Sequence, residues 1–456
     1  METLEWYGHM TSERRHVVFV SQMFPPDKGG NASRIHDNAV NVCQDEWNVT
    51  VLAPPPSIPP GEFDRSWKRS RTETFDGVTV HRLWTYQPQT EDPGMVKRLL
   101  YYLLFGVHCM VWLVWNSRTY DVVVTSTPPI STGGPGLVAS VLGKPWVVDV
   151  RDLWIDASIA LGYLEPGSAL ERVSRRFQRL VLHTADRITV TTEQTAESIK
   201  ETYGETLGSK ILHLPNGVSV ERFRQAAPQR EQSESINVAT TGHEQHGFTG
   251  GAVAAGYRNN GNESQEGAGD GPDPHVIIYT GNLGSAQDLE SCIRAMDHLE
   301  TDNSILRLVG GGDRDSHLRE IAHQRGLSDR VEFVEPVPRE AVPSLLQEAS
   351  VGLAPLQCSD ELAYAIPTKV YEYLACGLPV VATGSGEVER FVSETGGGVV
   401  VDNDERQIAK HIDELLRDDS RRRALGEQGR AHVVQHYDRE EIAARLSAEL
   451  SRLLDE

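Results

Sequence analysis

The sequence predicts two doubly wound α/β domains separated by a polar insertion, and three observations carry that prediction. Short β-branched runs recur along both halves at spacings that leave room for a helix between them, the pattern of a parallel sheet. From 224 to 274 the chain is rich in Gly, Gln, Glu, Ser and Asn, with Phe248 and Tyr257 as its aromatics. At 456 residues it is too long for one ordinary domain of about 150 residues.

Taken in order, the first half offers strands at HVVFVS (16 to 21), NVTVLAP (48 to 54), VTVHRL (78 to 83), DVVVTST (121 to 127), WVVDV (146 to 150), RITVTT (187 to 192) and ILHLP (211 to 215). The second offers VIIYTG (276 to 281), ILRLVG (305 to 310), VEFVEP (331 to 336), VGLAPL (351 to 356), PVVAT (379 to 383) and GGVVV (397 to 401). The domains are accordingly set at 13 to 218 and 275 to 435. The stretch from 224 to 274 buries too little apolar surface to offset its ordering entropy and is predicted to be disordered. Residues 436 to 456 read as a final helix that crosses back to the first domain.

The composition is that of a soluble globular protein, yet the 65 acidic residues outnumber the 44 basic ones, and only 8 of the latter are lysine. Such a surface disfavours nucleic-acid binding, which needs concentrated positive charge. It fits adaptation to high salt, where self-repulsion is screened. The five cysteines are scattered and include no CxxC pair, and the first fifteen residues lack an apolar core. A cytoplasmic location is expected.

One segment, Leu99 to Trp115, is apolar apart from His108 and is flanked by Lys97, Arg98 and Arg118. It falls between two strands of the first domain and so reads as a crossover helix. Its lack of a polar stripe leaves two readings open, burial against the sheet or shallow docking into a membrane with the basic flanks on headgroups.

The most specific motif is IPTKVYEYLACGLPVVAT, 366 to 383. Pro367 suits a helix start, so Thr368 to Ala375 is predicted helical, with Cys376 and Gly377 closing it. Lys369 and Glu372 share a face. On an isolated helix such a pair is more often a solvent-exposed ion pair. At the carboxyl edge of a parallel sheet, however, that face borders the crevice where nucleotides bind, the glutamate suited to ribose hydroxyls and the lysine to a diphosphate. In the first domain, Gly29 and Gly30 in SQMFPPDKGGNASR mark either a plain turn or a close backbone approach to a ligand. Asn31 or Ser33 is expected to cap a helix starting near Arg34. In DVRDLWID, Asp149, Arg151, Asp152 and Asp156 are expected at a strand end, at the mouth of the crevice; Asp152 could orient an acceptor hydroxyl and Arg151 an acceptor phosphate, or an Arg–Asp pair could merely order the loop. Asp313 and Asp315 in LVGGGDRD lack the partners a metal needs, so no metal and no cofactor are predicted, and Gly310 to Gly312 reads as close packing. His183 and His213 read as structural.

The 366 to 383 segment, with PNGV at 215 to 218, LVGGG at 308 to 312 and DVRDLW at 149 to 154, resembles the family 4 retaining glycosyltransferases of GT-B fold. Among them it is most similar to enzymes that build capsule, O-antigen or lipid-linked glycans. The resemblance implies a retaining hexosyl- or N-acetylhexosaminyltransferase that takes a UDP- or GDP-linked sugar to a glycan or polyprenyl-linked acceptor. It places Glu372 on the ribose, and it implies donor contacts at Gly29, Gly30, Gly281, Asn282, Gly284, Gly311, Thr368 and Lys369. Where the family has a first glutamate eight residues earlier, this chain has Tyr364. The family's Arg and Lys at the diphosphate fall on Asn282 and Gln287. With that charge gone, Lys369 and backbone N–H groups near Gly281 to Gly284 are left to stabilise the leaving diphosphate, and Asp152 and Arg151 to serve the acceptor. Two other functions use the same features: a nucleotide-sugar 2-epimerase, and a non-catalytic binding protein for nucleotide-sugar or lipid.

Overall fold

A computed structural model describes residues 14–45, 47–58, 62–68, 70–90, 94–160, 164–224, 273–359 and 362–456. The insertion predicted over 224 to 274 lies outside them except at its edges. Eight strands form the first sheet: β1 (His16–Val20), β2 (Asn48–Ala53), β3 (Ser70–Phe75), β4 (Val78–Leu83), β5 (Val122–Thr127), β6 (Trp146–Val150), β7 (Arg187–Val190) and β8 (Ile211–His213). Six form the second: β9 (His275–Thr280), β10 (Ser304–Val309), β11 (Val331–Val334), β12 (Ala349–Ala354), β13 (Val380–Thr383) and β14 (Gly398–Val401).

The second sheet is parallel throughout, in the order β11-β10-β9-β12-β13-β14. Renumbered from its own first strand this is 3-2-1-4-5-6, whose order reverses between β9 and β12 and opens a crevice at the carboxyl ends of the strands. The first sheet, β3-β4-β2-β1-β5-β6-β7-β8, repeats that winding with two additions, an antiparallel edge strand β3 at one end and a seventh parallel strand β8 at the other. Sequence reading missed β3: its residues, SRTETF, are mostly exposed, so no burial pattern marks them.

Parallel strands are covered on both faces and therefore read as continuous apolar runs. Val122 to Thr127 is buried at every position. In the first half the crossover helices α1 (Gly30–Gln44), α2 (Met95–Trp115), α3 (Gly133–Val141), the short α4 (Trp154–Ala160) and α5 (Ala169–Thr184) supply the cover. Each half has a core on either side of its sheet. The final helix, Arg439–Asp455, packs on α1, where Ile442, Leu446 and Leu450 join Ile35 and Trp47 and the Trp47 indole N–H donates to Ser447 Oγ at 3.0 Å.

Candidate functional site

The Thr368–Ala375 helix forms over the predicted residues. Val370, Tyr371, Tyr373 and Leu374 are fully buried against the second sheet, which turns Lys369 and Glu372 to the other side. Lys369 runs up beside β9, its Nζ 3.6 Å from the centroid of the Tyr279 ring. It passes Gly281 so closely that a Cβ there would stand 3.4 Å from Nζ. Burial pulls its pKa down to about 7, with Glu372 acting the other way. Glu372, one turn on, is raised by burial, opposed by Arg339, Lys369 and Arg222. The two make no salt bridge with each other, and among the described residues neither side chain has a hydrogen-bond partner. A buried lysine and a half-buried glutamate with unmet hydrogen-bonding capacity are groups built for a ligand.

The loops after β9 and β10 complete this side. Tyr279 donates to the Asn282 carbonyl at 2.5 Å, and Gly284 folds over the Asn282 amide, where a Cβ would come within 2.4 Å of Nδ2. The Gln287 side-chain oxygen is buried without a partner. Gly310 has φ +144°, and a Cβ on it would lie 1.9 Å from the Gly281 carbonyl oxygen, so no other residue fits. Gly311 stands against Pro336. Asp315 is paired with Arg319 at 2.9 Å. Among the described residues no group of three His, Cys, Asp or Glu side chains could hold a metal ion.

Across the crevice, the glycine loop touches the helix. A Cβ on Gly30 would stand 3.4 Å from Thr368 Cγ2, so the start of the Thr368–Ala375 helix and the Gly29–Gly30 turn face each other directly. Asp27 ties the loop down by accepting from the backbone N–H groups of Ser57 and Ile58 at 2.7 and 2.9 Å. The capping expectation is corrected: α1 begins at Gly30, not near Arg34, and Gly29 occupies the cap position with φ 138° and no side-chain cap. The reason lies in the backbone, where the Ser33 N–H donates to the Gly29 carbonyl at 3.2 Å and puts Ser33 inside the first turn. Arg34, within the helix, is spent inside the protein on Asp149 at 3.0 Å and on the Leu214 and Pro215 carbonyls at 2.9 Å.

That network also corrects the placing of Asp149 at the crevice mouth. Asp149 accepts from Arg34, Ser126 and Thr189, and although burial works against its charge, the Arg34 guanidinium holds its pKa below the usual range. Asp156 pairs with Arg175 at 2.7 Å. Arg151 is turned inward: its guanidinium donates to the Thr127 and Pro128 carbonyls at 3.3 and 2.7 Å, and one nitrogen, Nη1, is buried without a partner. Asp152 and Asp156 both act on Tyr364 of the second half of the chain. Burial raises the pKa of Asp152, and Tyr364, packed into the first domain's core, has its own pKa raised by burial and then by the two carboxylates. His183 and His213 each donate a ring N–H to a backbone carbonyl, of Tyr203 and Thr191.

Residues 29–217 match the family described as glycosyl transferase 4-like domain, and residues 262–432 match glycosyl transferases group 1. The chain is a family 4-type glycosyltransferase of GT-B fold. The glycosyltransferase is 26% identical over 363 residues to an Escherichia coli protein named as a colanic acid biosynthesis glycosyl transferase, WcaI, with 77% of this chain and 79% of that one covered. It is 25% identical over 443 residues to the GDP-mannose-dependent alpha-(1-6)-phosphatidylinositol monomannoside mannosyltransferase of Mycolicibacterium smegmatis, covering 95% and 98% of the two chains. Its fold is that of the Anabaena protein Alr3699/HepE, solved with UDP and glucose, with a TM-score of 0.65, 14% identity and coverage of 96% and 100%.

Two arginines of the glycosyltransferase's crevice escaped sequence reading. Arg339, just past β11, and Arg222, just past PNGV, both act on Glu372, and burial lowers the pKa of each. Arg339 also reaches across to Asp37 of α1 at 3.3 Å, and Asp37 is paired with Arg439 as well. Arg339 lies three residues past VEFVEP and Arg222 four past PNGV, positions that carry no signal in the sequence by themselves.

Proposed function

We propose that this glycosyltransferase is a retaining, metal-independent enzyme that moves a hexosyl or N-acetylhexosaminyl group from a UDP- or GDP-linked donor to a glycan or lipid-linked acceptor. It acts on the cytoplasmic side of the cell, in a salt-rich medium, during cell-surface polysaccharide or glycoprotein glycan assembly. One observation carries the donor reading: Lys369 and Glu372, neither with a side-chain hydrogen bond among the described residues, lie on the helix whose start meets the Gly29–Gly30 turn. A nucleoside diphosphate set there would give Glu372 the two ribose hydroxyls as donors, and would place its phosphates between Lys369, Thr368 and the helix N-terminus. The GDP-mannose named for the mycobacterial relative and the UDP named for the Anabaena structure support this class of donor.

In the proposed reaction the acceptor oxygen bonds to the anomeric carbon on the face from which the diphosphate departs, and the bond from that carbon to phosphate breaks. The acceptor proton passes to the departing phosphate oxygen, so a strong protein base is not required. Lys369 and the helix dipole meet the negative charge as it develops. Asp152, with its raised pKa, holds the acceptor hydroxyl in line. The resemblance to the retaining family 4 enzymes supports retention of the anomeric configuration. Metal independence is supported by the cationic groups around the phosphate position.

Calorimetry with UDP, GDP and their sugar conjugates, with and without EDTA, tests this. One nucleotide should bind in EDTA, and Glu372→Ala should weaken it roughly 100-fold or more, since two charge-assisted hydrogen bonds at about 1.5–3 kcal/mol each are lost. Equal binding by the variant would sink the donor assignment. Tight nucleotide binding with no transfer to any membrane-lipid or glycan acceptor would make the chain a binding protein.

A further inference from the structure

The α2 helix is divided lengthwise into two apolar faces. Tyr101, Phe105, Cys109 and Leu113, spaced by four, are buried in the first domain's core. Leu100, Leu103, Val107, Val111 and Val114 lie on the opposite side, between 43% and 56% exposed, and end at Trp115, 87% exposed. A surface helix ordinarily turns a polar face to water. This one does not.

The apolar surface continues beyond α2. Helix α3 touches both α2 and α5, and its last residue, Val141, is 88% exposed. On α5 the exposed Leu170, Val173 and Leu180 alternate with the exposed Arg172, Arg176 and Arg179. The three helices thus present one face that is apolar along its middle and arginine-rich along one side. Contiguous apolar patches of this kind mark binding surfaces.

Charge selects the occupant. The chain as a whole is at -21, yet no Asp or Glu occurs from 94 to 120, and Lys97, Arg98 and Arg118 stand at the ends of α2. Helix α5 has four arginines and one glutamate, and that glutamate is paired with Arg175. We propose that the face formed by α2, α3 and α5 adsorbs to a bilayer rich in anionic lipids, the apolar stripe entering the headgroup boundary and the arginines resting on phosphates. A second copy of this chain would bring the same arginines against themselves in a two-fold contact. The stripe of α2 is long enough to cross a bilayer, but the face with Phe105, Cys109 and Leu113 is committed to the core, so the helix lies on the membrane rather than through it.

The face is well placed for the crevice. Helices α2 and α5 both start at the carboxyl edge of the first sheet. The α2 backbone at Gly106 lies against Ser131, in the loop whose Pro128 carbonyl receives Arg151. The starts of α2 and α5, with Leu100 and Leu170, are the parts of the face nearest the crevice, while Trp115 and Val141 lie at the opposite edge.

Sedimentation with vesicles tests this without any substrate, so its failure would leave the transferase reading standing. In 0.15 M KCl the full chain should sediment with phosphatidylcholine vesicles containing one third phosphatidylglycerol at least tenfold more than with pure phosphatidylcholine. The triple variant Leu103→Glu, Val107→Glu, Val111→Glu should lose at least tenfold of that binding while retaining its melting temperature and nucleotide binding. Arg172→Glu with Arg176→Glu, on a separate helix, should abolish the preference for anionic vesicles. A wild type that stays in the supernatant with both vesicle types would overturn the proposal, as would undiminished binding by both variants. So would a wild-type dimer that the triple variant makes monomeric in the absence of lipid, because the face would then belong to a second copy.

Discussion

The two halves of the molecule share one winding and differ in what their helices show to the outside. Among the described residues, every exposed large hydrophobic side chain except Val434 lies in the first half. In the second half the Asp315–Gln324 helix buries Leu318, Ile321 and Ala322 and turns His317, Arg319, Glu320 and Gln324 outward. The Glu405–Arg417 helix buries Ile408, Ile412 and Leu415 and turns out Arg406, Gln407 and Lys410. Helix α2 occupies a comparable place and has almost nothing polar to turn out. The winding dictates that one face of each crossover helix be apolar. It leaves the other free to match whatever medium that half meets.

A difference in what the halves face should coexist with a difference in what holds them together. The first half depends on a buried ion pair, and Asp149→Ala would leave the Arg34 guanidinium uncompensated among carbonyls. The expected loss is about 3–5 kcal/mol in denaturant unfolding. A loss below roughly 1 kcal/mol would mean that the contrast between the halves stops at their surfaces. The second half depends on close backbone approach, and Gly310→Ala would set a methyl group against the Gly281 carbonyl at a φ that alanine resists. That should cost roughly 2 kcal/mol or more and weaken nucleotide binding through the displaced Gly281 loop. Unchanged stability would show that the loop relaxes freely.

The smallest expected effect is the most diagnostic of the crevice. Because burial lowers Lys369 to about 7, the nucleotide-free protein at pH 8 carries mostly the neutral amine. A bound diphosphate favours the ammonium, so binding takes up a proton, and affinity falls as pH rises above about 7, by at most tenfold per pH unit. Calorimetry in buffers of high and low ionisation enthalpy measures an uptake of up to about one proton. Lys369→Met should remove it; persistence of the uptake would assign the proton to another group.

How far the sequence revealed all this follows from periodicity and paired residues. The Thr368–Ala375 helix was legible to the residue because Pro367 opens it and Gly377 closes it. The edge strand β3 was not, because neither of its faces is buried enough to leave an alternation. The start of α1 was misplaced because Asn31 and Ser33 look like caps, whereas the turn is set by Gly29, whose carbonyl accepts from the Ser33 N–H. Arg222 and Arg339 were invisible because they are brought to Glu372 by tertiary folding alone. On α2 the sequence showed that both faces are apolar, and only the packing could show which of them is covered.

The return of the last helix has a consequence in time as well as in space. Arg439–Asp455 supplies Ile442, Leu446 and Leu450 to a core whose other members begin at Val17, and Arg439 donates to the Gly217 carbonyl at 2.7 Å where the chain first leaves that domain. During synthesis the first half leaves the ribosome early, with the α1 side of its core still open. It must wait, partly uncovered, until the second half has been made and the closing helix has emerged, so the domain that begins first is completed last.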